Sequence, residues 1–225
     1  VLGLRSSLLF RLHSLVFHYE YLLEHKKQYR SELDQRIDLG IETHLLAHSS
    51  VEVQSIIFDD LIFNTVSAFD YLGYFMSVLT YGIHKKWDWN KLYKATKQDD
   101  SNISNSIFKE KMVEVHSDFI DNMYEFRSDL IHYKAYGLRY GIKQNIHGIK
   151  LTINPPLKFL KVLRRAGLIE DENEEHKLVE SVEKLLIHSF QVINEILELS
   201  FDHIEKNRKR GQDEQIYFFG NPNEK

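Results

Sequence analysis

Between Ser106 and Lys134 the chain reads SIFKEKMVEVHSDFIDNMYEFRSDLIHYK. Its apolar residues Phe108, Met112, Val115, Phe119, Met123, Phe126 and Leu130 recur every three or four positions. That period lines one face of an α-helix and leaves the other to polar side chains. A helix this long buries its stripe only by packing against other elements, so the rest of the chain must supply them.

The same period returns three times. Leu4, Leu8, Leu12, Leu15, Tyr19, Leu22 and Leu23 predict a first helix over about 4–30. Ser49 and Glu52 have the spacing of a capping box, which predicts a second helix from about 50 to 82. Its stripe is Val53, Ile57, Leu61, Asn64, Ala68, Leu72, Phe75 and Leu79, and Phe63, Phe69, Tyr71 and Tyr74 give it a second apolar face. A helix apolar nearly all round belongs in the centre or at a subunit interface. Asn64 falls on the buried stripe, where its amide needs partners, and a satisfied core asparagine is the commoner outcome. The last helix carries Leu178, Val182, Leu185, Ser189, Ile193, Ile196 and Ile204, between acidic DENEE at 171–175 and basic KNRKR at 206–210. Both charge blocks complement the helix dipole.

Shorter pieces join these. KKWDWNKLYKAT predicts a short helix whose Trp87 and Trp89 could stack on a base but more commonly pack. The stretch 99–106 reads as a loop ending in capping residues. From Leu138 to Ile153 the period shortens to two, with Asn145 to Gly148 as the turn, which predicts a β-hairpin. Pro155 and Pro156 end it and open a helix over LKFLKVLRRA that Gly167 closes. The expected fold is one all-α domain over 1–225: an up-and-down bundle of four to five main helices, a hairpin inserted at about 138–153, and a polar tail at about 211–225.

Composition narrows the function. With no cysteine among 225 residues, disulfides and thiolate zinc sites are excluded, and a reducing, cytoplasmic setting fits. A net charge of -4 argues against a protein that coats long duplexes, so any nucleic-acid contact should be local. No apolar run reaches the roughly 18 residues that would span a bilayer. The opening VLGLRSSLLFRLHSLVF is interrupted by Arg5, Arg11 and His13 and lacks a small-residue cleavage pattern, so it reads as a helix and not as a signal peptide. His44 and His48 have metal-ligand spacing, but Leu45 stands where a zinc-protease signature needs Glu, and two solvent-facing histidines are the simpler reading. No metal or other cofactor is expected.

The residues that carry chemistry are Arg127 and His132, in RSDLIH near the end of the central helix. Imidazole is the side chain best able to move a proton at neutral pH. Guanidinium keeps its charge and grips phosphate through two donors. Together they suit metal-free cleavage of an RNA phosphodiester. Five positions on a regular helix turn through about 140°, so the pair converges only if the helix breaks near Asp129 or a second subunit brings its own pair opposite. A second match to the spacing, Arg11 to His18, lies in the first helix. The simpler reading of the pair itself is Arg127 in a surface ion pair with Asp129 or Glu125, and His132 an ordinary helix-end residue.

With Arg-x(4–6)-His late in a long helix of a mostly α-helical bundle, the chain resembles the HEPN family over about 50–205. The resemblance implies a metal-independent RNase acting as a homodimer whose motifs line a shared cleft, of toxin–antitoxin or phage-defence type. An antitoxin or other regulatory protein is then an expected partner. It also allows a catalytically inactive module that binds nucleotide or protein. It carries over Arg127 and His132 as catalytic residues and Ser128 and Asp129 as supports. Members controlled by a nucleotidyltransferase antitoxin carry a tyrosine where Lys134 stands here. Lys134, Arg139, Lys143 and Lys150 follow the motif and could track an RNA backbone, or form a solvated hairpin edge. Tyr133 and Tyr136 could stack a base, though packing is the commoner fate.

Overall fold

The Phe108–Leu130 stripe folds as a helix, with one departure. In the computed structural model, which describes residues 2–38, 43–82, 85–133, 138–145, 148–172 and 175–207, it runs as α4 (Lys109–Val115), one π turn (His116–Ile120) and α5 (Asp121–Tyr133). Phe108, Met112, Val115, Phe119, Met123 and Phe126 are buried and Leu130 half-buried. The wide turn also brings His116 and Ile120 inside. A π turn inserts one residue without disturbing the apolar period on either side, so nothing in the spacing announced it.

The remaining elements are α1 (Leu2–Asp38), α2 (His44–Tyr81), α3 (Trp89–Thr96), β1 (Arg139–Asn145), β2 (Gly148–Asn154), α6 (Leu157–Arg165) and α7 (Leu178–Asn207). The fold is all-α with a small inserted hairpin. The strands pair antiparallel, with Arg139 opposite Asn154 and Ile142 opposite Leu151. No helix among the described residues is long and apolar enough to cross a membrane.

Several ends follow local rules. Asp88 caps α3, its carboxylate accepting from the Lys91 amide at 2.8 Å. Gly167, at φ 69°, closes α6: the Gly167 amide donates to the Arg164 carbonyl and the Leu168 amide to that of Leu163, a Schellman pair. Ser49 does not cap α2. The helix starts five residues earlier, at His44, because Ala47 and Ser50 are themselves buried and packing carries the helix past the capping residues. On α1 the buried residues are Leu8, Leu15, Leu22, Tyr29 and Leu33, a narrower stripe than expected, with Leu23 exposed. On α7 the stripe ends before Ile204, which is exposed.

The chain resolves into two compact units, each built from several stretches. Over the described residues, one gathers those within Val1–Leu12, Ser67–Ser117 and Phe190–Lys225, and the other those within His13–Val66 and Asp118–Ser189. In the first, Trp89 is fully buried with its ring edge-on to Phe69 at 5.5 Å, and Lys111 on α4 pairs with Glu195 on α7 at 2.7 Å. Trp87 lies 4.8 Å from the Tyr81 ring with the Lys85 ammonium over both, so both tryptophans pack within the protein.

In the second unit Phe58 of α2, Phe126 of α5 and Phe159 of α6 meet with centroids 5.0–6.1 Å apart. This cluster fixes α5 against α6 and so positions the site. Asn64 is a satisfied core residue, its amide donating to the Asp60 carbonyl at 2.8 Å. The Arg11–His18 match serves structure at its histidine: the His18 ring contacts the Ser14 carbonyl at 2.6 Å and the Asp60 carboxylate at 3.4 Å.

Burial, helped by the neighbouring Asp60 charge, raises the Asp59 carboxyl to about 6. Its folded pKa lies above the unfolded value of about 3.9, so the folded chain binds this proton more tightly. Stability from this group is therefore greatest below about pH 4 and falls as pH rises through 6. Asp59→Asn, which mimics the protonated form, should stabilise the protein at pH 7.5 by on the order of 1 kcal/mol, allowing for screening of a partly exposed group. It should change nothing at pH 4. Thermal melts at the two pH values check this; equal shifts at both would contradict it.

Candidate functional site

Arg127 and His132 lie on α5, which continues without a break to Tyr133. The helix is not broken at Asp129, so the pair keeps the separation of about 140° set by helical geometry. Buried Met123 and Phe126 mark the core side. Arg127 lies beside that side, whereas His132, nine positions from Met123 and so about 180° round the helix, lies nearly opposite it. Between them, on the outer face, stand exposed Ser128 and Ile131, the latter half accessible. Arg127 is half-buried, its guanidinium 5.6 Å above the Tyr124 ring one turn back, which stiffens it by cation–π contact. His132 is exposed in the last turn.

Asn122, Glu125 and Asp129 share the edge of α5 that faces α6. Lys158 donates to Glu125 at 2.8 Å and to Asp129, whose side chain is 16% exposed, while Arg165 donates to the Asn122 amide oxygen. Seven residues separate Asn122 from Asp129 and Lys158 from Arg165, a rise of about 10.5 Å on each helix. The two helices therefore run antiparallel and in step. Desolvation works against the Lys158 ammonium, but the hydrogen bonds it donates to Asp129 and Glu125 outweigh it and hold its pKa above the ordinary lysine value. Asp129 thus ties α5 to α6. One turn on, at i+3, His132 continues the same edge at the end where α6 begins.

Arg139 comes to that end as well. Its Nε and Nη2 donate to the Pro155 carbonyl, just ahead of α6, at 3.3 and 3.2 Å. Of the other expected RNA contacts, Lys134 and Tyr136 lie outside the described residues, as do the side chains of Tyr133, Lys143 and Lys150 and the tail at 211–225. His48 sits exposed, 3.8 Å from Glu52, and the His44 side chain lies outside the described residues. Among the described residues no three His, Asp or Glu side chains gather as a metal site would require.

The cations of α6 are a functional feature that the sequence pattern alone does not single out. Lys158, Lys161, Arg164 and Arg165 are four of its nine residues, and the helix contains no acid. Which side of the helix its charges occupy depends on what the apolar side packs against, and that is set by residues distant in the chain.

Compared with protein-family models, curated proteins and solved structures, the chain matches none. The chemistry open to the site follows from its own residues. A fixed cation and a titratable ring border one exposed helical face, with a hydroxyl and an uncovered isoleucine between them.

Proposed function

We propose that the protein is a HEPN-type, metal-independent endoribonuclease, cytoplasmic and homodimeric, of toxin or phage-defence type, held in check by an antitoxin or other regulatory protein. The observation that carries this reading is the position of Arg127 and His132 on either flank of an outward face of an unbroken helix. One chain cannot turn both groups onto one phosphate. Two chains meeting across this face on a two-fold axis bring two guanidinium groups and two imidazoles to a common cleft. Exposed Ile131 lies in the middle of that face, where a second copy would cover it.

The chemistry divides between the pairs. One imidazole takes the proton of the ribose 2′-OH as its oxygen attacks phosphorus. The bond from phosphorus to the 5′-oxygen breaks, and the second imidazole, protonated, supplies that oxygen with its proton. The products are a 2′,3′-cyclic phosphate and a 5′-OH end. Arg127 holds the non-bridging oxygens while charge grows on them. In this reading Ser128 bonds an oxygen of the strand, and Asp129 steadies the helix through Lys158.

The test is incubation of purified protein with mixed RNA in EDTA, beside His132→Ala. Cleavage by the wild type alone is expected. Cleavage by both, or by neither, contradicts the reading.

A further inference from the structure

We infer that the outer face of α6, together with Arg139, is a phosphate-binding track that leads single-stranded RNA to His132. The inference rests on the ribonuclease reading for its ligand and on the structure for its residues. Phe159, Leu160, Val162 and Leu163 turn inward. Of the outward positions, every one except Leu157 is Lys or Arg. Their partners divide them. Lys158 is taken up by Glu125 and Asp129, and Arg164 by Glu172 at 2.6 Å. Lys161 and Arg165 face no carboxylate within 4 Å among the described residues. Arg165 leans on the Asn122 amide, which orients the guanidinium without neutralising it.

Position gives this charge a direction. The antiparallel ties place the start of α6 beside the His132 end of α5, and Arg139 is bonded to the Pro155 carbonyl at that same end. Arg139, Lys161 and Arg165 thus mark a line that begins beside His132 and runs back along α6. Nine helical residues span about 13.5 Å, room for a few phosphates of one strand. Contacts of this kind hold a backbone without reading its bases. The overall charge of -4 makes a local cationic strip stand out as the place where a polyanion can settle.

The test uses His132→Ala protein, which leaves the probe intact, with a fluorescent oligouridylate of about 12 nucleotides in EDTA, read by anisotropy across salt concentrations. Three phosphate contacts predict a log–log salt slope of about 2 in magnitude. Adding the substitution Lys161→Glu, at an exposed position, should weaken binding about tenfold and lower that slope by about 1. Lys161→Arg should bind like the parent. Arg165→Gln, checked by melting for retention of the fold, should weaken binding by a similar factor.

Unchanged affinity in Lys161→Glu overturns the track, as does failure of the parent to bind oligouridylate. Competition by polyglutamate or duplex DNA as effective as that by unlabelled RNA overturns the assignment to single-stranded RNA. The two readings separate cleanly. Binding that depends on Lys161 in a protein that never cleaves upholds the track and removes the nuclease. Cleavage with the same KM in wild type and Lys161→Glu does the reverse.

Discussion

His132→Ala should lower the rate of RNA cleavage in EDTA by about 10²–10⁴-fold while the melting temperature stays within a degree or two. The kinetic range is that of a positioned general acid or base. The stability expectation follows from exposure: the ring stands in the last turn of α5, outside the Phe58–Phe126–Phe159 cluster that fixes the helix. Arg127→Ala should cost about 10²–10³-fold, the usual loss when a donor to a developing oxyanion is removed. Arg127→Lys keeps the charge but loses the planar fork and its stacking on Tyr124, so it should fall well short of rescue. The double variant should be little worse than His132→Ala, since groups that act together do not add. A His132→Ala protein that cleaves like the wild type would remove the histidine from the chemistry.

Gly73→Ala should destabilise the protein by about 2–4 kcal/mol, the range of overpacking at a site with no slack. A Cβ at Gly73 would lie 2.5 Å from the Trp89 amide nitrogen, 2.7 Å from its Cα and 2.8 Å from the Asp88 carbonyl carbon. All three are backbone atoms, so no side chain can rotate aside. The glycine lets α2 touch the start of α3, and that approach seats Trp89 against Phe69. For a chain of this length the melting temperature should fall by about 5–15 °C. Gly141→Ala is the control, because nothing lies within 4 Å of its added Cβ. A Gly73→Ala melt within 1 °C of the wild type would contradict the close contact.

The periods of three to four and of two were enough to place the long helices and the hairpin, because burial on one face leaves its mark residue by residue. The Pro155–Pro156 start and Gly167 stop of α6 were legible for a similar reason, since each residue type restricts its own backbone. What escaped depends on partners distant in the chain. Gly73 looks like an ordinary helix interruption until Trp89 is seen against it. The capping box at Ser49 is a local preference that burial of Ala47 and Ser50 overrides. The tie from the Asp129 carboxylate to Lys158, 29 residues on, is of the same kind. The positions of Arg127 and His132 followed from helical geometry alone. That α5 stays regular to Tyr133 needed the fold.

The claim that two chains build one site is tested most directly with mixed dimers, one subunit wild type and the other carrying Arg127→Ala and His132→Ala, isolated through two different affinity tags. A shared cleft that needs one imidazole as base and the other as acid predicts cleavage at or below about one hundredth of the wild-type rate. Cleavage at half the wild-type rate would mean that each chain works alone, and would contradict the account.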